Sequence, residues 1–233
     1  MEKIKVYLIC SATLMCVFLF GGLLYTAFQN EADVSTAAGT DTQQRVFVID
    51  PGHGGEDGGA TENNILEKDI NLSIALKLRD MLTAGGYETV MTRETDESIY
   101  DSSAGTTRER KVSDLKNRAE IINRNQNNIL ISIHQNKFEQ SKYSGAQIFY
   151  SKNNPESERL AEEIRKSITS LIQPENKREL KAADSSIYIL DKAEVPAVIV
   201  ECGFISNTEE AKMLSNEDYQ QKMAFAIFAA CIA

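Results

Sequence analysis

Short β-branched runs alternate with helical stripes from Arg45 to the end of this chain, and that alternation restricts the fold more than any other feature. "RVFVID" (45–50) is an apolar run of strand length. Leu66, Ile70, Ile74, Leu78 and Leu82 then recur at every fourth residue and stop at Gly85-Gly86, the pattern of an amphipathic helix with a glycine end. "YETVMT" (87–92) is a second strand, and the Ser-, Thr-, Asp- and Arg-rich stretch 93–111 is too polar for a core element. Leu115, Ala119 and Ile122 mark another helix, "NILISIH" (128–134) a third strand and "AQIFYS" (146–151) a fourth. Leu160, Ile164, Ile168 and Leu171 stripe a further helix; "SIYIL" (186–190) and "PAVIVE" (196–201) are strands; 207–214 and 217–233 are closing helices. Strands separated by helices lie parallel, so the pattern predicts an α/β layered domain with a largely parallel sheet. No internal repeat interrupts it.

The first 44 residues are of another kind. Val6 to Phe28 carries no charged side chain, and 23 residues at ~1.5 Å each reach ~34 Å, enough to cross a bilayer core. Two lysines precede the run, while Glu31 and Asp33 follow it, so the remainder of the chain is expected on the outer side of the membrane. Residues 1–28 fit a signal peptide or an uncleaved anchor. The small residues that cleavage requires occur only at Ser35 and Ala37, beyond the apolar run, which favours the anchor. Residues 29–44 are polar, small and aperiodic and read as a linker, leaving 45–233 as the folded domain. Its partners are not nucleic acids, since a net charge of −9 repels phosphate.

Chemistry-bearing residues concentrate where such a sheet places function, beyond the carboxyl ends of the strands. His53 follows the first strand in a loop with five glycines over residues 52–59, His134 ends the third strand, and Glu201 ends "AVIVE". Asp50 lies at the same edge. These two histidines are the only ones in the chain, and Glu201 puts a carboxylate at the end of an apolar strand, which is costly unless it is paired, bonds a metal or holds its proton. Glu67, at the start of the first helix, is favoured there by the helix dipole alone. Taken singly each residue has a structural explanation: a core histidine, a turn residue, a first-turn acid. Taken together, two imidazoles and a carboxylate form a recurrent catalytic zinc set, and a further carboxylate beside them can act as general base. The loop lacks the Lys-Ser/Thr of a P-loop and the G-x-G-x-x-G spacing, and the chain has no H-E-x-x-H helix. Residue chemistry alone leaves a zinc hydrolase and a non-catalytic binding domain both open. A third option, a cysteine hydrolase using Cys202, conflicts with strand geometry, because Glu201 and Cys202 must point to opposite faces. Cys10 and Cys16 sit in the apolar segment, and Cys202 and Cys231 read as small buried hydrophobes rather than a disulfide framework.

Four motifs in order, "IDPGHGG" (49–55), "LEKD" (66–69), "SIHQN" (132–136) and "VECGFISN" (200–207), resemble those of the zinc-dependent N-acetylmuramoyl-L-alanine amidases of bacterial cell walls. Within that family, the length and the segment "TRERKVSDLKNRAEIIN" (107–123) look most like the membrane-targeted amidases that spore-formers use on cortex peptidoglycan. The resemblance implies a mixed, mainly parallel sheet of about six strands flanked by helices. It implies Zn²⁺ held by His53, Glu67 and His134, with Glu201 as the catalytic carboxylate. The implied reaction cleaves the amide between the lactyl group of N-acetylmuramic acid and L-alanine of the stem peptide. The implied setting is cortex maturation, with muramic-δ-lactam formation, and germination. The alternative is a non-catalytic peptidoglycan-binding or scaffold domain on the same fold, which would lack one of the four site residues. An activating protein partner is also within the family's habits. Asn136 and Arg93 are candidates either to meet substrate or to support a ligand from behind, and Gln135, where the family commonly has a small residue, is expected to make the groove beside His134 narrower or more polar.

Overall fold

The computed structural model describes residues 45–233, so the apolar segment 1–28 and the linker 29–44 lie outside the described residues. Among the described residues no helix is long and apolar enough to cross a membrane. The strands of the described residues are β1 (Val46–Pro51), β2 (Thr61–Glu62), β3 (Ile65–Leu66), β4 (Glu88–Met91), β5 (Asn128–Asn136), β6 (Gln147–Tyr150), β7 (Lys181–Ala182) and β8 (Ala197–Phe204). The helices are α1 (Glu67–Ala84), α2 (Thr107–Asn123), α3 (Glu156–Leu171), α4 (Tyr188–Lys192), α5 (Thr208–Leu214) and α6 (Glu217–Cys231).

Six strands form one sheet in the order β4-β1-β5-β8-β6-β7, and β2 and β3 make a separate two-stranded hairpin. β4, β1, β5 and β8 are mutually parallel. β6 runs antiparallel to β8, so the sheet is mixed and mainly parallel, as expected. Period-2 alternation sorts each central strand between two cores. Phe47 and Ile49 of β1, Ile131 and Ile133 of β5, and Val198 and Val200 of β8 pack under α1, α3 and α6. Val48, Leu130, Ala197 and Ile199 point the other way, towards Ile122 of α2 and Ile189 and Leu190 of α4. Ile74 and Leu78 of α1 are fully buried, each worth roughly 1.5–3 kcal/mol against exposure.

Two expectations change. "SIYIL" is no strand: its last three residues open α4, whose Ile189 and Leu190 plug the lower core. Five apolar-alternating residues are too few to separate a strand from one helical turn, and tertiary packing decides. The polar stretch 93–111 is loop only up to Thr106, whose hydroxyl accepts from the Glu109 N–H while Glu109 returns the bond to the Thr106 N–H. That reciprocal cap starts α2 within the polar region.

Candidate metal centre and active site

At the carboxyl edge of the sheet the alternation selects which side chains meet. Asp50, Ser132 and His134 leave the α2/α4 face, and the register pairs Asp50 with Ser132 and His134 with Glu201. After Pro51 the chain must turn at once. His53 does so in the left-handed region, φ 63°, a conformation that costs a non-glycine residue about 1 kcal/mol or more. Two buried arginines hold the turn. Arg118 donates to the His53 carbonyl at 2.7 Å and the Pro51 carbonyl at 2.9 Å. Arg93, 2% exposed, donates to the carbonyls of Pro51, Gly52, Thr95 and Lys68.

Close approach explains two of the glycines. A Cβ on Gly52 would stand 2.1 Å from the His134 ring, so that imidazole lies directly on backbone. Gly59, at φ 66°, would put a Cβ 2.6 Å from Glu67 Oε2 and 2.7 Å from His53 Cδ2.

Three donor atoms converge here. Glu67 begins α1 and is 3% exposed; its Oε2 accepts from the Ala60 N–H at 2.7 Å and its Oε1 from the Gln135 N–H at 3.1 Å. The same Oε1 lies 2.9 Å from His134 Nδ1 and 3.3 Å from His53 Nε2. One ligand atom from each of His53, Glu67 and His134 lies within 4.8 Å of the others. The other nitrogen of His53, Nδ1, is 3.0 Å from Asp57 Oδ2, which fixes the ring so that Nε2 faces the cluster. Burial opposes charge on His53, yet the hydrogen bonds and charges of Asp57 and Glu67 outweigh it and raise its pKa to about 9. Glu67 is likewise disfavoured as an anion by burial, but the two imidazoles hold it well below the usual carboxylate range. Two nitrogens and one oxygen drawn together at this spacing are a donor set that a divalent cation fits.

Glu201 is the register partner of His134 on β8. Its Oε2 is buried with no hydrogen-bond partner among the described residues. Burial, reinforced by the charge of Glu67 and opposed by the two histidines, pushes its pKa up to about 7. A carboxyl so placed exchanges a proton readily near neutrality, and a cation at the cluster would draw it towards the ionised form. Beyond Glu201 the pairing shifts: His134 pairs with Glu201 but Asn136 with Phe204, so β8 holds one extra residue as a bulge. Asn136 thus ends β5 next to the bulge, and its carbonyl accepts from the Ile205 N–H.

The remaining candidates sort by geometry. Asp50 is no part of the ligand cluster; it is buried and accepts from Arg118, Thr92 and Ser132, each at 2.6 Å. Arg93 spends its guanidinium on the carbonyls of Pro51 and Gly52, just before His53, and on those of Lys68 and Thr95, so it braces the backbone around the cluster. Gln135 corrects an expectation: it points to the opposite face, is buried, and donates to Asn71 Oδ1 of α1, so it does not line the groove. Cys202 is fully buried on that same opposite face, where burial pushes its thiol well above its ordinary pKa. It has no access to the centre. Asp57 and Arg118 were not foreseen; an acid four residues after His53 was the one visible sign of the first. A cavity of 210 Å³ opens against His53 and His134 and is walled by Tyr100, Lys111, Leu115 and Ile189.

Residues 47–233 match the family model described as N-acetylmuramoyl-L-alanine amidase, and the chain belongs to that family of peptidoglycan hydrolases. The germination-specific N-acetylmuramoyl-L-alanine amidase of Bacillus subtilis (strain 168) is 35% identical over 184 residues, 79% of this chain and 77% of that one. The structure of the CwlD amidase from Clostridioides difficile, in complex with the GerS lipoprotein, is similar at a TM-score of 0.78 and 43% identity, covering 81% of this chain and 97% of that one. AmiC2 of Nostoc punctiforme superimposes at a TM-score of 0.68 with 29% identity, over 81% of this chain and 95% of its own.

Proposed function

We propose that this amidase works as a zinc enzyme on spore-cortex peptidoglycan, cutting between the muramic lactyl group and L-alanine with His53, Glu67 and His134 as metal ligands and Glu201 as general base and acid. The observation that carries the assignment is the buried, unpartnered Oε2 of Glu201, register partner of His134 in the three-donor cluster. Held by His53, Glu67 and His134, zinc would supply a Lewis acid for the lactyl carbonyl and for water. Glu201 Oε2 takes the proton of the attacking water and returns it to the departing alanine nitrogen. Asp57 holds the His53 ring, Arg118 and Arg93 hold its backbone, and Asn136 offers an amide at the substrate-facing end of β5. The cortex assignment draws on likeness to the B. subtilis germination-specific enzyme and the C. difficile CwlD structure, and that structure's GerS lipoprotein supports a protein partner for this chain as well. Residues 1–28 would direct the catalytic domain, 45–233, to the outer side of the membrane: retained, they tether it there through the linker 29–44, and cleaved, they release it there. The test compares the full-length chain with its Glu201→Gln form, measuring metal content and released stem peptides. The variant should keep one zinc per chain and lose at least a hundredfold in turnover. Undiminished turnover would move the proton-transfer role to another group.

A further inference from the structure

At and beyond the ends of β5 and β8, the strands that carry His134 and Glu201, three aromatic rings follow one another. Phe138 lies two residues beyond the end of β5; its N–H donates to Ser206 Oγ, just past β8, at 3.0 Å, and its side chain is 53% exposed. The Tyr143 ring meets it edge-on with centroids 5.0 Å apart, and the next ring, buried Phe204, is 6.3 Å further. The Arg178 guanidinium sits 4.4 Å from the Phe204 centroid while its Nε donates to the Ser144 carbonyl at 2.8 Å. The Lys142 ammonium lies 5.4 Å from the Tyr143 ring centre. The backing rings are thus pinned by cations and hydrogen bonds, whereas the outermost ring is presented to water. A single exposed apolar residue is ordinary. Three successive rings at the ends of the two strands that carry His134 and Glu201, with a lysine and an arginine against them, are not.

We propose that the Phe138–Tyr143 face is a saccharide subsite, on which a pyranose ring of the glycan strand packs its C–H face. This rests on the reading that the neighbouring centre cuts the lactyl amide. That amide hangs from a sugar, so the strand must run outwards from the reacting carbonyl. Phe138 is four residues past His134, at most about 13 Å along an extended chain, where a neighbouring sugar of the same strand passes. Lys142 and Arg178 at the rim donate to the hydroxyl and N-acetyl oxygens that such a ring carries. A stem peptide would leave the exposed ring without a matching flat apolar partner.

The test measures affinity of the full-length chain, carrying Glu201→Gln to prevent turnover, for a peptide-free oligomer of alternating N-acetylglucosamine and N-acetylmuramic acid. Adding Phe138→Ala should weaken binding about tenfold, and adding Phe138→Trp should bind at least as tightly as the parent. In the otherwise wild-type enzyme Phe138→Ala should raise KM for long strands with kcat held, and leave a single-sugar muramyl peptide unaffected. Equal affinity of the Ala and parent forms would overturn the proposal, as would an equal loss on long and single-sugar substrates. So would unchanged glycan affinity accompanied by lost binding of a lipoprotein partner, which would make the patch a protein-docking surface. Stem-peptide release by the wild type is scored separately; its absence would refute the reaction while leaving glycan affinity free to appear.

Discussion

His134 and Glu201 are register partners on neighbouring parallel strands, and their side chains leave the same face of the sheet. A candidate ligand and a candidate proton carrier are therefore set relative to each other by backbone hydrogen bonding, not by loops. Strands so paired keep their separation near 4.8 Å, and the two side chains with it.

Asp57 should matter more than its place in a loop suggests. It holds His53 Nδ1 at 3.0 Å and so decides which nitrogen faces the ligand cluster. Asp57→Asn should weaken zinc affinity ten- to a hundredfold, read by competition with a chromogenic chelator, with turnover restored at high zinc. Unaltered affinity would show that backbone geometry alone aims the ring.

Arg118 and Asp50 form a buried pair at 2.6 Å, with side chains almost wholly removed from solvent. Removing one partner strands the other's charge. Arg118→Leu should cost about 3–5 kcal/mol in chemical denaturation and also loosen the His53 carbonyl, so metal affinity should fall with it. A change below about 1 kcal/mol would mean that water reaches the abandoned carboxylate.

The same carboxylate sets an acid limit. Burial would raise the pKa of Asp50, but Arg118, Ser132 and Thr92 together bring it from 3.8 down to about 2. A depressed folded-state value contributes stability that is complete above the unfolded value and lost as protons bind the folded form. The contribution, roughly 2 kcal/mol, should be intact above pH 4 and disappear as pH falls to about 2. An Asp50→Asn chain, already destabilised, should show a shallower fall across that interval in denaturation experiments.

Chelation and thiol modification should separate cleanly. Cys202 and Cys231 are both buried, and burial raises both thiol pKa values, that of Cys231 to about 12. Iodoacetamide should leave native activity unchanged, while a strong chelator should abolish it and added zinc restore it. Loss of activity on alkylation of the folded chain would reopen the nucleophilic-cysteine reading.

The convergence of His53, Glu67 and His134 was legible because they end strands or start a helix inside recognisable motifs, and because a parallel sheet collects strand ends. Asp57 and Arg118 were hidden for different reasons. Asp57 reaches His53 only through a turn built on a positive φ, which no hydrophobic pattern encodes. Arg118 sits on α2 beside the apolar positions 115, 119 and 122, where a charged residue ordinarily faces water; only the buried Asp50 draws it inward. Gln135 was misplaced by proximity, since the neighbour of a functional strand residue belongs to the other face. "SIYIL" was misread because so short a run carries either period.

The bare backbone under the His134 ring carries one more consequence. Because Gly52 offers no side chain to exchange, the floor beneath that imidazole has no adjustable part: even a methyl group there would collide with the ring at 2.1 Å. Any change in what this hydrolase accepts must therefore be written in the surrounding walls, because the bed under His134 cannot be rebuilt.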